Sequence, residues 1–454
     1  MDMGEVATRP SLAERVGLGR PELRAWVMYD WANSAFMTTI VTAVFPVFYA
    51  SVAAAGVDPD QATYRYSRAT TLALAVTAVI SPVLGAVADY GGIKKRLLLL
   101  FQALGIVFTA AMYFIGTGDL QFALWLFVLA NIGAAGAFTF YDSLLPHIAR
   151  GDELDRVSTA GYALGYLGGG LLLVLNLLWI QRPAWFGIPD AAAATRLSFV
   201  SVAVWWAVFS IPLFRTVPEP PRQIEIGERL GENILVAAFG RLGETFRELS
   251  RYRQALLMLL ASLLYTDGIN TIIRMASVYG TQVGIASHHM VGAIVMVQFV
   301  GVPFAFLFGR LAGWIGARSA VFVSIVVYTI VSVLGYYMTT AAHFYLLGFL
   351  VGMVQGGSQA LSRSLFASMI PRHKSSEFFG FWGVFEKFAG ILGPALFGEA
   401  IRYTGSSRIA ILSIIVFFVA GGALLAMVDV TAGQRIAREA EHEAHRANEA
   451  AAAR

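Results

Sequence analysis

Residues 69–116 read ATTLALAVTAVISPVLGAVADYGGIKKRLLLLFQALGIVFTAAMYFIG, two long apolar runs joined by a short charged hinge. A helix crossing the hydrocarbon core needs roughly 20 mostly apolar residues. Both runs reach that length, and the charges Asp89, Lys94, Lys95 and Arg96 fall between them. The stretch therefore predicts a transmembrane helical hairpin, and the rest of the chain repeats the pattern. Apolar runs of spanning length recur near 25–52, 69–88, 97–116, 122–148, 159–180, 196–215, 255–283, 291–312, 319–338, 343–369, 378–401 and 409–429. Composition agrees: the 454 residues are 57% hydrophobic and 14% charged, against about 25% charged in soluble domains. The expected fold class is an all-α integral membrane protein of twelve transmembrane helices in two six-helix bundles.

Lysine and arginine placement sets the expected orientation. Twenty-four of the 33 fall on one set of connections. Six fall on the other: Arg65, Arg68, Arg182, Arg196, Arg402 and Arg408. Both termini are then expected in the cytoplasm. The N-terminal segment 1–24, with four arginines and no apolar core, does not read as a signal peptide. The expected organisation is that cytoplasmic segment, a first bundle over 25–217, a linker over 218–253, a second bundle over 254–430, and a helical tail over 431–454. In the linker, Leu230, Ile234, Ala238, Leu242, Phe246 and Leu249 recur at helical spacing, the pattern of an amphipathic helix on the inner membrane surface. With no cysteine, disulfides, thiolate metal sites and thiol nucleophiles are excluded. The small net charge of +4 comes from basic loops, and no nucleic-acid partner is expected.

The two bundles carry an internal repeat. Gly85, Asp89 and Gly92 are echoed 224 residues later by Gly309, Gly313 and Gly316. Gly165 and Gly168 are echoed by Gly390 and Gly393, and Asp30, Asn33 and Ser34 by Asp267, Asn270 and Thr271. Six spans plus six is the design of secondary transporters with a midplane site between the halves. The stretch from Gly85 to Arg96 resembles the loop signature of the major facilitator superfamily. Tyr29-Asp-Trp-Ala-Asn-Ser-Ala35, Tyr265-Thr-Asp-Gly-Ile-Asn-Thr271, Gln355-Gly-Gly-Ser-Gln-Ala-Leu-Ser-Arg363 and Phe378-Phe-Gly-Phe381 are similar to its vacuole-effluxer-like branch. That resemblance implies alternating access and an amino-acid substrate, moved with a proton or by facilitation alone. Gly313 stands where the second-half signature has an acid, so a gating ion pair of that type is expected in the first half only.

An ionised group at midbilayer costs roughly 2.5–3.5 kcal/mol and therefore faces a cavity or a partner. The candidate substrate- or ion-binding residues are Asp30 and Asn33 in span 1, Asn131 in span 4, and Asp267, Asn270 and Arg274 in span 7. Gln355, Gln359 and Arg363 in span 10 and Lys387 in span 11 complete the set. Asp30/Asn33 and Asp267/Asn270 share the i,i+3 spacing of one helix face, which also suits interhelical hydrogen bonds. Arg274 lies about 10.5 Å along from Asp267 by helical rise, a possible partner for it. Gln355, Gln359 and Arg363 form one stripe suited to a carboxylate-bearing substrate, or to a salt bridge from Arg363 to Asp30 or Asp142 that locks a gate. Adjacent Glu386 and Lys387 point about 100° apart, and Lys387 is expected to face the cavity. The candidate gating residues are Gly85, Asp89, Gly92, Lys94, Lys95 and Asp142; Asp89 is placed to cap the N-terminus of a neighbouring helix.

No catalytic constellation appears. Ser143 has no intramembrane His–Asp set, and His147, His288, His289, His343 and His373 sit at span ends or loops without metal spacing. No Gly-x-x-x-x-Gly-Lys-Ser/Thr loop is present, and no cofactor is expected beyond coupling to H⁺ or Na⁺. The reading is a monomeric transporter of a small solute, in first place an amino acid, in a bacterial inner membrane. Its rivals are an exporter of lipids, drugs or sugars on the same fold, and a non-transporting receptor or scaffold.

Overall fold

The computed structural model describes residues 12–151, 153–222, 251–389, 392–404 and 406–452. The described residues are helical, with no strand. The long helices are α1 (Pro21–Ala53), α2 (Pro59–Gly91), α3 (Lys94–Ala111), α4 (Leu120–Ile148), α5 (Leu154–Gln181) and α6 (Ala191–Thr216). After the linker come α7 (Arg253–Gln282), α8 (Ser287–Ile315), α9 (Ala317–Tyr336) and α10 (Ala341–Ser368). Then follow α11 (Ser375–Phe388), α12 (Leu392–Thr404), α13 (Arg408–Ala426) and the tail helix α14 (Val430–Ala452). Eleven of these are long and apolar enough to cross a membrane. The chain is a multi-pass integral membrane protein, and its outer faces carry exposed apolar side chains such as Val47, Val79 and Trp314.

Two expected spans are not regular. Span 11, expected as one helix over 378–401, is divided into α11 and α12, which have 14 and 13 residues. Neither crosses alone, and the freed backbone is met by α7: Asn270 Nδ2 donates to the Ala389 carbonyl, and Gly393 N–H donates to Asp267 Oδ2. A break at membrane depth is tolerated where neighbouring side chains satisfy the exposed backbone groups. In α1 the helix widens to π-type turns over Phe36–Ala43 and Tyr49–Ala53, around Pro46, whose missing N–H interrupts the ladder. The linker's amphipathic pattern falls largely on 223–250, outside the described residues.

Helix packing brings repeat-related elements together. α2 packs along α11, and α8 packs along α5. At the first junction a Cβ on Gly85 would lie 2.3 Å from the Ser376 carbonyl oxygen; at the second, a Cβ on Gly309 would lie 2.3 Å from Thr159 Oγ1. Glycine is what lets these helices touch there. The tail helix is held beneath α7 and α10, with Arg251 paired to Glu443 at 2.8 Å and the Arg372 N–H bonded to Glu441.

Candidate functional site

Two polar clusters join the first six spans to the last six, and both lie toward the same end of the bundle. The outermost forms where α2 turns into α3. Gly92 closes α2 in the left-handed region (φ 59°), so the chain reverses at once and places Lys94 beside Asp89. Asp89 Oδ1 pairs with Lys94 Nζ, while Oδ2 accepts the Glu377 N–H at 2.9 Å, in the first turn of α11. An acid therefore caps a helix N-terminus across the junction, the favourable end of the helix dipole. Lys94 Nζ also contacts Ser375 Oγ at 2.6 Å and His147 Nε2 at 3.0 Å. Ser375 Oγ donates to the Ser143 carbonyl and Ser376 Oγ to Ser143 Oγ, each at 3.0 Å. Asp89 and Lys94 are both only 3% exposed, so this is a closed surface and not a rim of loop charges.

The deeper cluster surrounds Arg363 of α10, which is buried. Its Nη1 donates to Asp142 Oδ1 at 3.0 Å and its Nη2 to Asp30 Oδ2 at 3.3 Å. Nε donates to Ser158 Oγ at 3.0 Å and Nη2 also to the Ser158 carbonyl at 3.1 Å. The guanidinium carbon stands 4.8 Å from the Trp26 ring centroid and 4.6 Å from that of Tyr162. Trp26 is in turn stacked on Tyr141 at 4.4 Å. One guanidinium is thus clamped between two carboxylates and two aromatic faces, all from the first bundle. Arg363 lies five residues before the end of α10, about 7.5 Å by helical rise. It is the floor of the bundle on the Asp89 side and not a midplane wall.

The remaining expected residues sort around these clusters. Gln359, half-buried one turn above Arg363, accepts from the Tyr166 hydroxyl at 3.3 Å, and Gln355 continues the stripe upward. Asn33 is completely buried, and neither end of its amide has a bonded partner among the described residues. Asn131 bonds back to the Phe127 carbonyl of its own helix at 2.8 Å, half a span from Asp142. Asp267 and Asn270 do not mirror Asp30: they hold the α11–α12 break. Arg274 is exposed, and the Asp267 carboxylate accepts instead from Gly393. Lys95 does not join the Asp89 cluster either. Its Nζ donates to the Phe214 carbonyl at 3.1 Å and to that of Val217, neutralising the C-terminal end of α6 within the first bundle. The Lys387 side chain is outside the described ones. Glu386, by contrast, acts electrostatically on Asp142 and Tyr162, which places the acid of that pair on the Arg363 side. Gly313 has open space around it and adds no second-half ion pair to the repeat.

Sequence reasoning missed Trp26, Tyr141, Tyr162, Ser158, His147 and Ser375. Three of them carried a signal, since Trp26 lies one turn before Asp30, and Ser158 and Tyr162 are four residues apart on one face. His147 was legible only as a histidine at a span end.

Residues 66–438 match the family model described as "Vacuole effluxer Atg22 like". The chain is 37% identical over 406 residues to "Uncharacterized MFS-type transporter YxiO" of Bacillus subtilis, covering 89% of this chain and 94% of that protein. It is 24% identical to "Autophagy-related protein 22" of Yarrowia lipolytica, over 85% of this chain and 78% of that one. Among solved structures, the major facilitator FucP in its outward conformation superposes with TM-score 0.67 at 12% identity, covering 91% and 99% of the two chains. The human organic anion transporter MFSD10 gives 0.63 at 13% identity, covering 92% and 100%. At those identities the likeness concerns the fold.

Proposed function

Because this chain belongs to the Atg22-like vacuole-effluxer family and has the major facilitator fold, a transporter and not an enzyme, we propose that it carries an amino acid by alternating access. The orientation proposed is the one the Lys/Arg distribution favours, with the Asp89 end facing the cytoplasm of a bacterial inner membrane.

The observation that carries the reading is the Asp30–Arg363–Asp142 cluster. Two carboxylates on one guanidinium leave one negative charge over when all three are ionised. In a low-dielectric site that excess is costly, and a proton or an arriving ammonium group relieves it. A zwitterion meets both needs: its carboxylate competes with an Asp for the bidentate face of Arg363, and its ammonium takes the acid released. Glu386 on the same side adds to the preference for a cationic group. Proton coupling follows from the same count: a zwitterion brings no net charge, so one negative charge still remains, and H⁺ goes to the aspartate that the ammonium does not take. Arg363 then acts both as a lock between the bundles and as the carboxylate anchor, and Asp30 as the coupling acid.

The test is counterflow of a radiolabelled amino-acid panel into proteoliposomes, with Arg363→Gln alongside. Counterflow needs no driving ion, so substrate is tested before coupling. Accumulation of one class of amino acid, abolished by the substitution, is the expected result. Silence of the folded wild-type protein across the panel would overturn the amino-acid assignment and direct the search to sugars, peptides and lipids.

A further inference from the structure

The Lys94 ammonium carries three donors and no acceptor. Its three contacts are Asp89 Oδ1, Ser375 Oγ and His147 Nε2. The Ser375 hydroxyl hydrogen is already committed to the Ser143 carbonyl, so it cannot also serve His147, although Oγ and Nε2 are 3.1 Å apart. His147 Nε2 therefore accepts from the Lys94 ammonium, and the ring is the neutral tautomer with its hydrogen on Nδ1. A second proton on Nε2 would set an N–H against an ammonium with no lone pair between them.

The charged and titratable groups around the ring come from every neighbouring element. Asp89 ends α2, Lys94 opens α3, Arg372, His373 and Lys374 form the α10–α11 turn, and Glu377 lies in α11. Cations predominate, and Asp89 is committed to Lys94 and to the α11 backbone.

We infer that His147 is a proton-binding site built into the cytoplasmic gate, distinct from the Arg363 cluster, and that a proton on its Nε2 unlatches α2–α3 from α11. The proton comes from the cytoplasmic water reached as the gate loosens. It breaks the Lys94–Nε2 bond and leaves a histidinium that only the open gate can hydrate. An imidazole in water titrates near 6.5. By linkage, the ratio of open to closed gate rises as pH falls below that value, by at most tenfold per pH unit for one proton. This depends on the closed gate, not on the amino-acid assignment.

The chain has no cysteine, so the test needs no background removal. Spin labels go on Arg96→Cys, in α3, and Arg438→Cys, on the tail helix; both positions are exposed. Their distance is measured by pulsed electron resonance between pH 8 and 5.5, without substrate. The expected result is a longer-distance population that grows as pH falls in the otherwise wild-type protein. In His147→Gln it should be absent, because the amide oxygen accepts from Lys94 without titrating. A pH response of equal size in His147→Gln, or none in the wild type, overturns the proposal. Should that variant misfold, ring-labelled histidine NMR reads the same site directly, with the seven histidines assigned by single substitution. A His147 ring that stays neutral while the gate opens overturns it equally.

Discussion

Asp89→Asn separates the charge of the gate from its shape. The amide keeps an oxygen able to accept the Glu377 N–H, so the hydrogen bond at the head of α11 can persist. What is lost is the carboxylate facing Lys94, with both partners 3% exposed. Removing one member of a buried pair costs about 3–5 kcal/mol, and the charge at a helix N-terminus a further 0.3–1 kcal/mol. Lys94 retains His147 and Ser375 as acceptors, which argues for the lower end. A loss of about 3 kcal/mol from the closed state shifts the closed-to-open ratio by about a hundredfold, at 1.36 kcal/mol per decade. Thr139→Cys reports it. That position is 6% exposed, and Thr139 Oγ1 is 3.5 Å from where a Cβ on Gly383 of α11 would lie, so reagent reaches it only when α11 withdraws. With rapid opening, the labelling rate by a membrane-impermeant maleimide follows the open population. The expected increase on adding Asp89→Asn is about a hundredfold. A rate within threefold of the parent, in protein that is folded and monodisperse, would refute the electrostatic account and leave Asp89 a hydrogen-bond acceptor only.

Three further outcomes follow from the same contacts. Asp30→Asn should flatten the pH dependence of uptake while counterflow continues, whereas Asp142→Asn should retain it; the reverse ranking moves the coupling role to Asp142. Gly161→Ala places a Cβ 2.3 Å from Asp30 Oδ2 and 3.2 Å from Arg363 Nη2, an overpacking of about 1–3 kcal/mol that should lower the melting temperature. Gly398→Ala, with nothing within 4 Å, should leave it within error. Burial pushes the Glu153 carboxyl up, but the Arg150 N–H and the Arg20 guanidinium outweigh it and hold it below the usual range. Its contribution is present above the unfolded value, near pH 4.3, and is lost as pH falls through the lower folded one. Partly exposed, the pair is worth about 1 kcal/mol or less, so Glu153→Gln should show a small melting deficit at pH 7 that closes in acid.

The fold was legible because the bilayer imposes a length and a polarity on each span, and both can be read residue by residue. The cap on α11 was legible too: an acid beside αL-prone glycines at a helix end has few stable uses within a membrane. What the sequence concealed was partner choice. Asp30 and Asp267 sit in matching motifs, yet one meets Arg363 and the other caps a broken helix. The difference arises from residues far away in the chain, Arg363 in one case and the end of α11 at Phe388 and Ala389 in the other. Gly390 and Gly393 announced the second in outline, but apolar content alone made 378–401 resemble an unbroken span. Lys94 and Lys95 pose the same problem at shorter range. They are neighbours about 100° apart, so one turns to the gate and the other to the end of α6, and only three-dimensional packing decides which.

The two clusters share a geometry that constrains how the transporter can work. Arg363 reaches from α10 into the first bundle, and Asp89 and Lys94 reach from the first bundle to the head of α11. α10 and α11 are joined by the short turn Arg372–Lys374, so the two locks lie on one lever. Releasing Arg363 alone leaves α11 fixed by Asp89, and releasing α11 alone leaves α10 fixed by two carboxylates. Each lock thus raises the cost of opening while the other is intact, and a solute that engages only one shifts the equilibrium by less than its binding energy. On the proposed function, productive opening requires a carboxylate to arrive at Arg363 and the head of α11 to come free. Measured together, Arg363→Gln and Asp89→Asn should therefore multiply: with both locks broken in one opening of one lever, the double variant should shift the open-to-closed ratio by the product of the two single effects. A double effect far from that product would mean that α10 and α11 come free in separate steps and that the two locks are not on one lever.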